Sequence, residues 1–430
     1  MKSKIILCLA VVTALLSLSF RDFSKVIIWD TAGYYVYLPA GIIYHDLGKL
    51  EFYEQVNREY KTADRDWYGI YQDSLTGRRW TKYPVGVAIM ELPFFLIAHG
   101  LSQVFPEENA IYGYGKIFQY GVACACLFWF LAGLYCLKRF LLRYFDDAVV
   151  ALTLFLVIYA TNLFNYGLLE GGLSHGISFA LFSFLLLLTD NWYRSGRRTA
   201  LLGLAMILGL IIITRPTNVV AALIPLLWGI RNRQSVVKRW SFLRSQLSSI
   251  SWALVLCIAV VFIQLSYWHY ITGNWVLYSY KGEKLDLTNP HIFEGLFHYD
   301  KGWFIYTPLA LCFVVGLMFV YRYHRAQFLS LILFLLANIY VVYSWDFWRY
   351  GGGFGARPLT ESYAFLAFSL AALVDRSFNW KRGWKIALIC FFVLITMLNL
   401  FQTYQFRYGI LPPIWIREQI YWDVFGKYKI

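Results

Sequence analysis

Long apolar segments recur along almost the whole chain, and several reach the ~20 residues that a helix needs to cross a bilayer. Hydrophobic residues make up 59% of the 430 residues and charged residues only 15%, which excludes an ordinary soluble domain. Since the bilayer core offers no water to an open backbone, segments of this length form helices there. The sequence therefore predicts an all-α polytopic membrane protein.

The apolar segments predict about eleven transmembrane helices (roughly ten to thirteen) in one membrane-embedded domain, residues 1–430. The first segment is either a cleavable signal peptide behind Lys2 and Lys4 or a retained helix. We expect a retained helix, because no small-x-small cleavage site precedes Arg21. The predicted spans are 4–20, 115–137, 147–164, 174–191, 199–214, 216–230, 250–268, 303–320, 326–344, 360–375 and 385–402.

The distribution of charge predicts the orientation. If the chain begins in the cytoplasm, five short linkers rich in Lys and Arg lie on the inner side, and most acidic residues lie on the outer side. This asymmetry follows the positive-inside rule. It accounts for the net charge of +14 without a nucleic-acid partner. The inner linkers are 138–146, 192–198, 231–249, 321–325 and 376–384.

The same topology leaves two unusually long outer loops, 21–113 and 269–302, and an outer tail at 403–430. They flank two blocks of spans, 114–268 and 303–402. Long loops in compact proteins are commonly functional. Because these loops also hold most of the acidic residues, we expect the chemistry on the outer side.

One apolar segment of the first outer loop, 84–104, resembles a further span. Glu91 and Pro93 interrupt it, and a crossing here would move Lys138 and Arg139 to the outer side. We therefore predict an interfacial or re-entrant helix.

A lone carboxylate, Asp30, follows the first span and precedes an aromatic stretch that ends at Pro39. A charged side chain at that depth is costly unless it faces a protected aqueous cavity, so it indicates a functional site. The alternative is that Asp30 caps the start of an interfacial helix. The two roles are compatible.

The chain resembles the integral-membrane glycosyltransferases of the GT-C superfamily, and most of all the bacterial protein-mannosyltransferase/aminoarabinose-transferase-like group. The likeness covers nearly the whole chain and rests on the order of its features: a first helix, an acid, a long outer loop and a second long loop after the seventh span. The motifs that carry it are Lys-Tyr-Pro at 82–84, Glu170-Gly-Gly-Leu-Ser-His175, Thr214-Arg-Pro-Thr-Asn218, Thr272-Gly-Asn-Trp-Val-Leu-Tyr-Ser-Tyr280 and Gly351-Gly-Gly-Phe-Gly-Ala-Arg357.

The resemblance implies inverting transfer of a sugar from a polyprenyl-phosphate carrier to an acceptor on the outer face. Asp30 then serves as the general base that takes the proton of the acceptor hydroxyl. Lys82 then contacts the carrier phosphate, whose growing negative charge needs fixed cations. The alternative for Lys82 is a snorkelling lysine at a helix start.

Further candidates for binding the substrate or the carrier phosphate are Glu170, His175, Arg215, Tyr280 and Arg357. Each has a plain structural alternative. Glu170 and His175 could belong to a capped helix start, Arg215 could bind a lipid headgroup, and the glycines before Arg357 could form a tight connection. Tyr280 and its loop neighbours Tyr278, Lys281, Glu283, His291 and Lys301, and likewise Trp345, Asp346, Trp348 and Arg349, could form an ordinary interfacial surface.

The sequence indicates no metal site. All seven cysteines lie in apolar segments, where they behave as small apolar residues. The histidines His45, His99, His269 and His298 lack metal-ligand spacing. Some members of the superfamily use a divalent ion at the outer acid, but Asp30 has no second acid beside it. The expected small-molecule requirement is the lipid-linked sugar donor.

The expected partners are membrane lipid, the polyprenyl-phosphate carrier and a saccharide, lipid or protein acceptor. The expected location is the bacterial inner membrane, with the active site facing the periplasm. Two other classes stay open: a transporter or flippase of lipid-linked saccharides, and a non-catalytic assembly subunit. Carriers place binding groups near the bilayer midplane, whereas the ionisable residues here gather at one face, which favours the enzyme.

Overall fold

A computed structural model describes residues 1–64, 67–106 and 112–429, and most of these residues are helical. The α-helices are α1 (Lys2–Phe20), α2 (Asp30–Tyr35), α3 (Tyr37–Ile42), α4 (Tyr53–Tyr60), α5 (Gly86–Val104), α6 (Lys116–Leu141), α7 (Asp147–Tyr159), α8 (Ser174–Ser195), α9 (Arg198–Thr214), α10 (Leu223–Leu227), α11 (Arg233–Ser245), α12 (Leu247–Thr272), α13 (Ile292–Phe297), α14 (Trp303–Tyr306), α15 (Ala310–Tyr323), α16 (Arg325–Tyr343), α17 (Tyr363–Ser377), α18 (Arg382–Arg407) and α19 (Glu418–Val424). A π-helix (Phe164–Leu169) and two 3-10 helices (Pro216–Ala222 and Arg357–Ser362) interrupt them.

Seven helices of the described residues are long and apolar enough to cross a membrane: α1, α5, α6, α8, α12, α16 and α18. The chain is therefore a helical, membrane-embedded protein. Six of these helices coincide with predicted spans, and the other five predicted spans correspond to shorter helices: α7, α9, α15, α17 and the segment Pro216–Leu227. The total of eleven crossings stays a prediction.

The seventh long helix, α5, is the segment that the sequence assigns to the outer interface. It runs antiparallel to the first half of α6: Trp129 donates a hydrogen bond of 2.8 Å to the carbonyl of Met90, while Gly121 lies against Ala98. Its first residue, Gly86, lies against Thr214 at the end of α9. The length and composition of α5 fit a span, whereas these contacts pair it with only half of α6. Its path through the bilayer stays a prediction.

The five basic linkers meet at one end of the bundle. Arg143 pairs with Asp190 at 2.6 Å, so the linker after α6 lies beside the end of α8. Aromatic and cation–π contacts then connect the other linkers: Tyr144 with His324, Arg376 with Tyr323, and Arg239 with Tyr193. The start of α1 lies at this end too, because Ser3 donates to Asp147. The side of the membrane that this end faces stays a prediction.

The core of the bundle is formed by α8 and α17, most of whose residues are buried. In contrast, α12 and α18 keep exposed apolar side chains, as helices facing lipid do. Close helix contacts use small residues: a Cβ on Gly133 would lie 2.6 Å from Ala180, and one on Gly316 would lie 2.2 Å from the carbonyl of Ser369.

The two long loops pack against each other at the opposite end of the bundle. Residues Ile70–Gln72 (β1) and Arg79–Thr81 (β2) form a small antiparallel hairpin, which the all-α prediction lacks. Gly77, with φ +68°, makes its turn feasible, because that conformation suits glycine. The hairpin contacts the second loop: Trp80 donates to the Ser279 carbonyl at 3.4 Å, and Ser279 donates to the Lys82 carbonyl at 2.8 Å.

Candidate functional site

Asp30 is the first residue of the short helix α2 and lies just after a strained backbone position, Trp29, with φ +50°. Trp29 occupies the N-cap position of α2 and forms no side-chain cap, whereas Asp30 lies in the first turn of the helix. The Asp30 carboxylate accepts hydrogen bonds from three other side chains. Oδ1 accepts from the hydroxyls of Tyr83 at 2.5 Å and Tyr68 at 3.4 Å, and Oδ2 lies 3.1 Å from Nη2 of Arg357.

These partners determine the charge of Asp30. Burial by itself would raise the pKa of the carboxyl, but Arg357, the Tyr83 hydroxyl and Lys82 outweigh it and lower the pKa below its ordinary value. Asp30 is therefore ionised at neutral pH. Its side chain keeps 17% of its surface exposed and that of Arg357 keeps 15%, so a ligand can reach the pair.

Arg357 is brought to Asp30 by the glycine-rich loop 351–355. A Cβ on Gly353 would lie 2.9 Å from the Tyr166 hydroxyl, which also accepts a 2.6 Å hydrogen bond from the Phe354 amide. Gly353 donates its own amide to the Pro413 carbonyl. The glycines thus allow close packing against Tyr166 and the tail. The functional group that the loop presents is the guanidinium.

Lys82 comes directly after the β2 hairpin strand and is only 12% exposed. Its amine pairs with Glu283 of the second long loop at 3.0 Å, and Trp345 donates to the other oxygen of Glu283 at 2.9 Å. The rings of Tyr68, Tyr83 and Tyr280 surround the amine at 5.2–5.4 Å from their centroids. Cation–π attraction of this kind keeps an ammonium group in place without neutralising it.

A second charged cluster is built around Glu361. One oxygen accepts from Arg215 at 3.0 Å and from Asn218 at 3.2 Å, and the other lies 3.1 Å from Nδ1 of His175. The Glu361 side chain is 1% exposed and that of His175 4%, so the carboxylate is closed to solvent, whereas Arg215 keeps 17% of its side chain exposed. It joins the predicted candidates Arg215 and His175 through an acid that the sequence analysis did not select.

Tyr34 lies between the two clusters. It is one helical turn after Asp30, which places both side chains on the same face of α2. Its ring packs on Tyr83 with centroids 4.6 Å apart, and its hydroxyl lies 3.3 Å from that of Ser174, the neighbour of His175. Tyr280 extends this aromatic surface, with its ring 5.2 Å from that of Trp345.

The structure does not bring Glu170 to either cluster. Its carboxylate pairs with Arg407 at the end of α18. Arg349 is also drawn elsewhere, because it binds Asp300 at 2.7 Å. Lys301 is buried and donates to the carbonyls of Gly353 and Pro413, so it supports the glycine-rich loop.

Several other charged and aromatic residues lie near the surface of the loops. Arg78 stacks over Tyr270 and Arg79 over Trp67. Tyr278 donates to the carbonyl of Glu283, which places it on the outer side of the Lys82 ion pair. Over residues 1–64, 67–106 and 112–429, no group of three His, Cys, Asp or Glu side chains is arranged to hold a metal ion.

Sequence reasoning missed Glu361, Tyr68 and the hydroxyl of Tyr83. A signal for Glu361 was present, because an acid inside a predicted span is costly and usually functional or paired. Nothing in the sequence signals Tyr68, since the hairpin that positions it depends on contacts with the second loop. No protein-family model matches the sequence, and no curated protein matches it.

Proposed function

We propose that the chain is an inverting GT-C-type glycosyltransferase that moves a sugar from a polyprenyl-phosphate donor to a lipid, glycan or protein acceptor. The observation that supports this most is the convergence of Asp30, Lys82, Tyr280 and Arg357 from four distant stretches of the chain. They meet at the end of the bundle opposite the basic linkers. By the positive-inside rule, that end faces the periplasm of a bacterial inner membrane.

In the proposed reaction, the acceptor hydroxyl oxygen attacks the anomeric carbon of the sugar from the face opposite the carrier. Asp30 takes the hydroxyl proton as the new C–O bond forms. The bond between the anomeric carbon and the phosphate oxygen breaks, and its electron pair stays on the phosphate. Arg357 and Lys82 stabilise the negative charge that develops there.

Arg357 also controls the strength of the base. In the free protein its guanidinium lowers the pKa of Asp30, which makes the carboxylate a weak base. A carrier phosphate competes with Asp30 for the same guanidinium, since Arg binds phosphate and carboxylate in similar geometry. As Arg357 moves to the phosphate, Asp30 loses its strongest counter-charge and its pKa rises. Donor binding thereby prepares the base.

Lys82 requires a similar exchange of partners. Its present partner, Glu283, lies on the second long loop, so the carrier phosphate replaces Glu283 when it binds Lys82. Glu283 then repels the phosphate and moves away with its loop. The aromatic faces of Tyr280 and Trp345 beside it are suited to stacking against the apolar face of a sugar ring.

The test uses purified protein in proteoliposomes with a polyprenyl-phosphate sugar, and mass spectrometry of the acceptor as readout. We expect Asp30→Asn to lower the transfer rate by at least about 100-fold, because the general base is lost. Glu51→Gln is the matched control: it makes the same change on the same loop at a side chain that is 71% exposed. Unchanged transfer in Asp30→Asn would remove the proposed base. Movement of intact donor across the bilayer without transfer would instead identify a flippase.

A further inference from the structure

Apart from the Asp30 and Glu361 clusters, a third group of charged side chains lies near the ends of α1, the π-helix and α18. Arg21 follows the last residue of α1, and Arg407 is the last residue of α18. Arg407 donates to Asn165 at 2.7 Å and to Glu170. The two arginines and one glutamate leave a net charge of +1.

Two nitrogen donors of this group are buried without an acceptor among the described residues: Nη1 of Arg21 and Nδ2 of Asn165. A buried donor without an acceptor is costly, and more so when it carries charge. The Arg21 guanidinium also stacks over the ring of Phe23 at 5.2 Å, which holds it in position. Burial, followed by repulsion from Arg407, lowers the pKa of Arg21 to about 10. A nearby anion would relieve both effects.

The surroundings indicate how such an anion arrives. Phe20 is 83% exposed and Tyr408 is 67% exposed, so apolar and aromatic side chains frame the charged group. Aromatic residues in this position mark the boundary between lipid chains and headgroups. The group therefore lies where the apolar surfaces of α1 and α18 end, the depth at which lipid headgroups begin.

We propose that Arg21, Asn165 and Arg407 form a binding site for a phosphate group, separate from the Asp30 region. The ligand is a phosphate-bearing lipid headgroup or a free phosphate ion, since both present several acceptor oxygens and a negative charge. Arg21 and Asn165 donate to the phosphate oxygens, and Glu170 keeps Arg407 oriented. This site does not depend on the proposed glycosyl transfer.

The test measures binding to the full-length protein in detergent. One arm titrates inorganic phosphate at constant ionic strength and follows thermal unfolding, which a ligand of the folded state shifts upwards. The other arm uses native mass spectrometry with phosphatidic acid, and diacylglycerol with the same acyl chains as the control. We expect retention of phosphatidic acid and not of diacylglycerol if the ligand is a lipid. A shift with inorganic phosphate alone would assign the site to the free ion.

Two variants locate the binding. We expect Arg21→Gln to weaken phosphate binding about tenfold or more, because a charged donor is lost. Asn165→Asp keeps the oxygen that Arg407 binds, but replaces the unpartnered donor with a negative charge, and should weaken binding at least as much. Arg58→Gln, at a side chain that is 76% exposed, is the control and should bind as the parent does. No binding in either arm, or equal binding by parent and both variants, would overturn the proposal.

Discussion

Asp30 and Glu361 are both carboxylates paired with arginine, but their surroundings differ. Glu361 is 1% exposed, and its two oxygens are held by Arg215, Asn218 and His175. Asp30 is 17% exposed, whereas the two arginines are alike, at 15% for Arg357 and 17% for Arg215, so the difference lies in the carboxylates. A carboxylate buried in this way can hold three segments in place, whereas the partly exposed carboxylate of the open cluster (Asp30, Lys82, Tyr83 and Arg357) can exchange a partner with a ligand. Function is therefore expected at Asp30 and support at Glu361.

The different roles expected for Asp30 and Glu361 are tested most strongly by removing the negative charge of each carboxylate in turn. We expect Asp30→Asn to lower the transfer rate by at least about 100-fold, and to lower thermal stability less than the change at Glu361 does, because the Asp30 carboxylate is 17% exposed and that of Glu361 only 1%. Glu361→Gln should lower the free energy of unfolding by about 3 kcal/mol, because the carboxylate that is lost is 1% exposed and leaves Arg215 without its counter-charge. Measuring the transfer rate and the thermal unfolding in detergent of both variants shows which carboxylate is needed for transfer and which for stability. If Glu361→Gln is stable and inactive, Glu361 belongs to the catalytic machinery and the comparison is wrong.

The next prediction concerns donor binding by Lys82, whose ion pair with Glu283 connects the two long loops beside Asp30. Lys82→Met should raise the KM for the donor about tenfold or more, because a cation facing the carrier phosphate is lost. Glu283→Gln should act in the opposite direction and lower the KM a few-fold, since the phosphate no longer competes with a carboxylate. Steady-state kinetics at varied donor concentration measures both. A higher KM in both variants would mean that the ion pair orders the loop and does not compete with the phosphate.

A smaller effect is expected in the pH dependence of transfer. Arg357 is the largest of the influences that lower the pKa of Asp30, so Arg357→Gln should raise this pKa although Tyr83 and Lys82 still lower it. A general base works only when ionised, so the acidic limb of the kcat/KM profile reports its pKa in the free enzyme. We therefore expect this limb to lie at higher pH in Arg357→Gln than in the parent. An unmoved limb would separate the observed pH dependence from Asp30.

The sequence predicts the parts of this molecule that depend on local pattern and charge. Six long helices fall at predicted spans because apolar length alone specifies them. Asp30, Lys82 and Arg357, which the resemblance named as candidates, lie close together in the structure. Their roles stay predictions. The basic linkers meet at one end of the bundle, as the charge pattern used for the orientation predicts.

Other features depend on contacts between distant segments and could not be read from the sequence. Glu170 pairs with Arg407, which is more than two hundred residues away in the sequence. His175 is only five residues from Glu170 but belongs to the Glu361 cluster. Proximity in the sequence therefore does not place these two candidates in the same site. The β1–β2 hairpin is only a few residues long and gains its support from the second loop. Pairing between remote loops leaves no periodic signal in either one.

The smallest expected effect concerns Lys301, which fixes the loop that carries Arg357 into the open cluster. Burial lowers the pKa of this amine to about 7, whereas in the unfolded chain it stays near its ordinary value of about 10.4. Between these values the unfolded state binds more protons than the folded state, so stability should rise with pH from about 7 to about 10. Lys301→Met removes the titrating group and should flatten this rise. Thermal unfolding across that pH range measures the difference, and an equal slope in both proteins would show that Lys301 stays protonated in the folded state. In that case a charged ammonium group holds the glycine-rich loop at every pH tested. Arg357, which this loop carries, would then be less free to leave Asp30 for a ligand than the comparison with Glu361 implies.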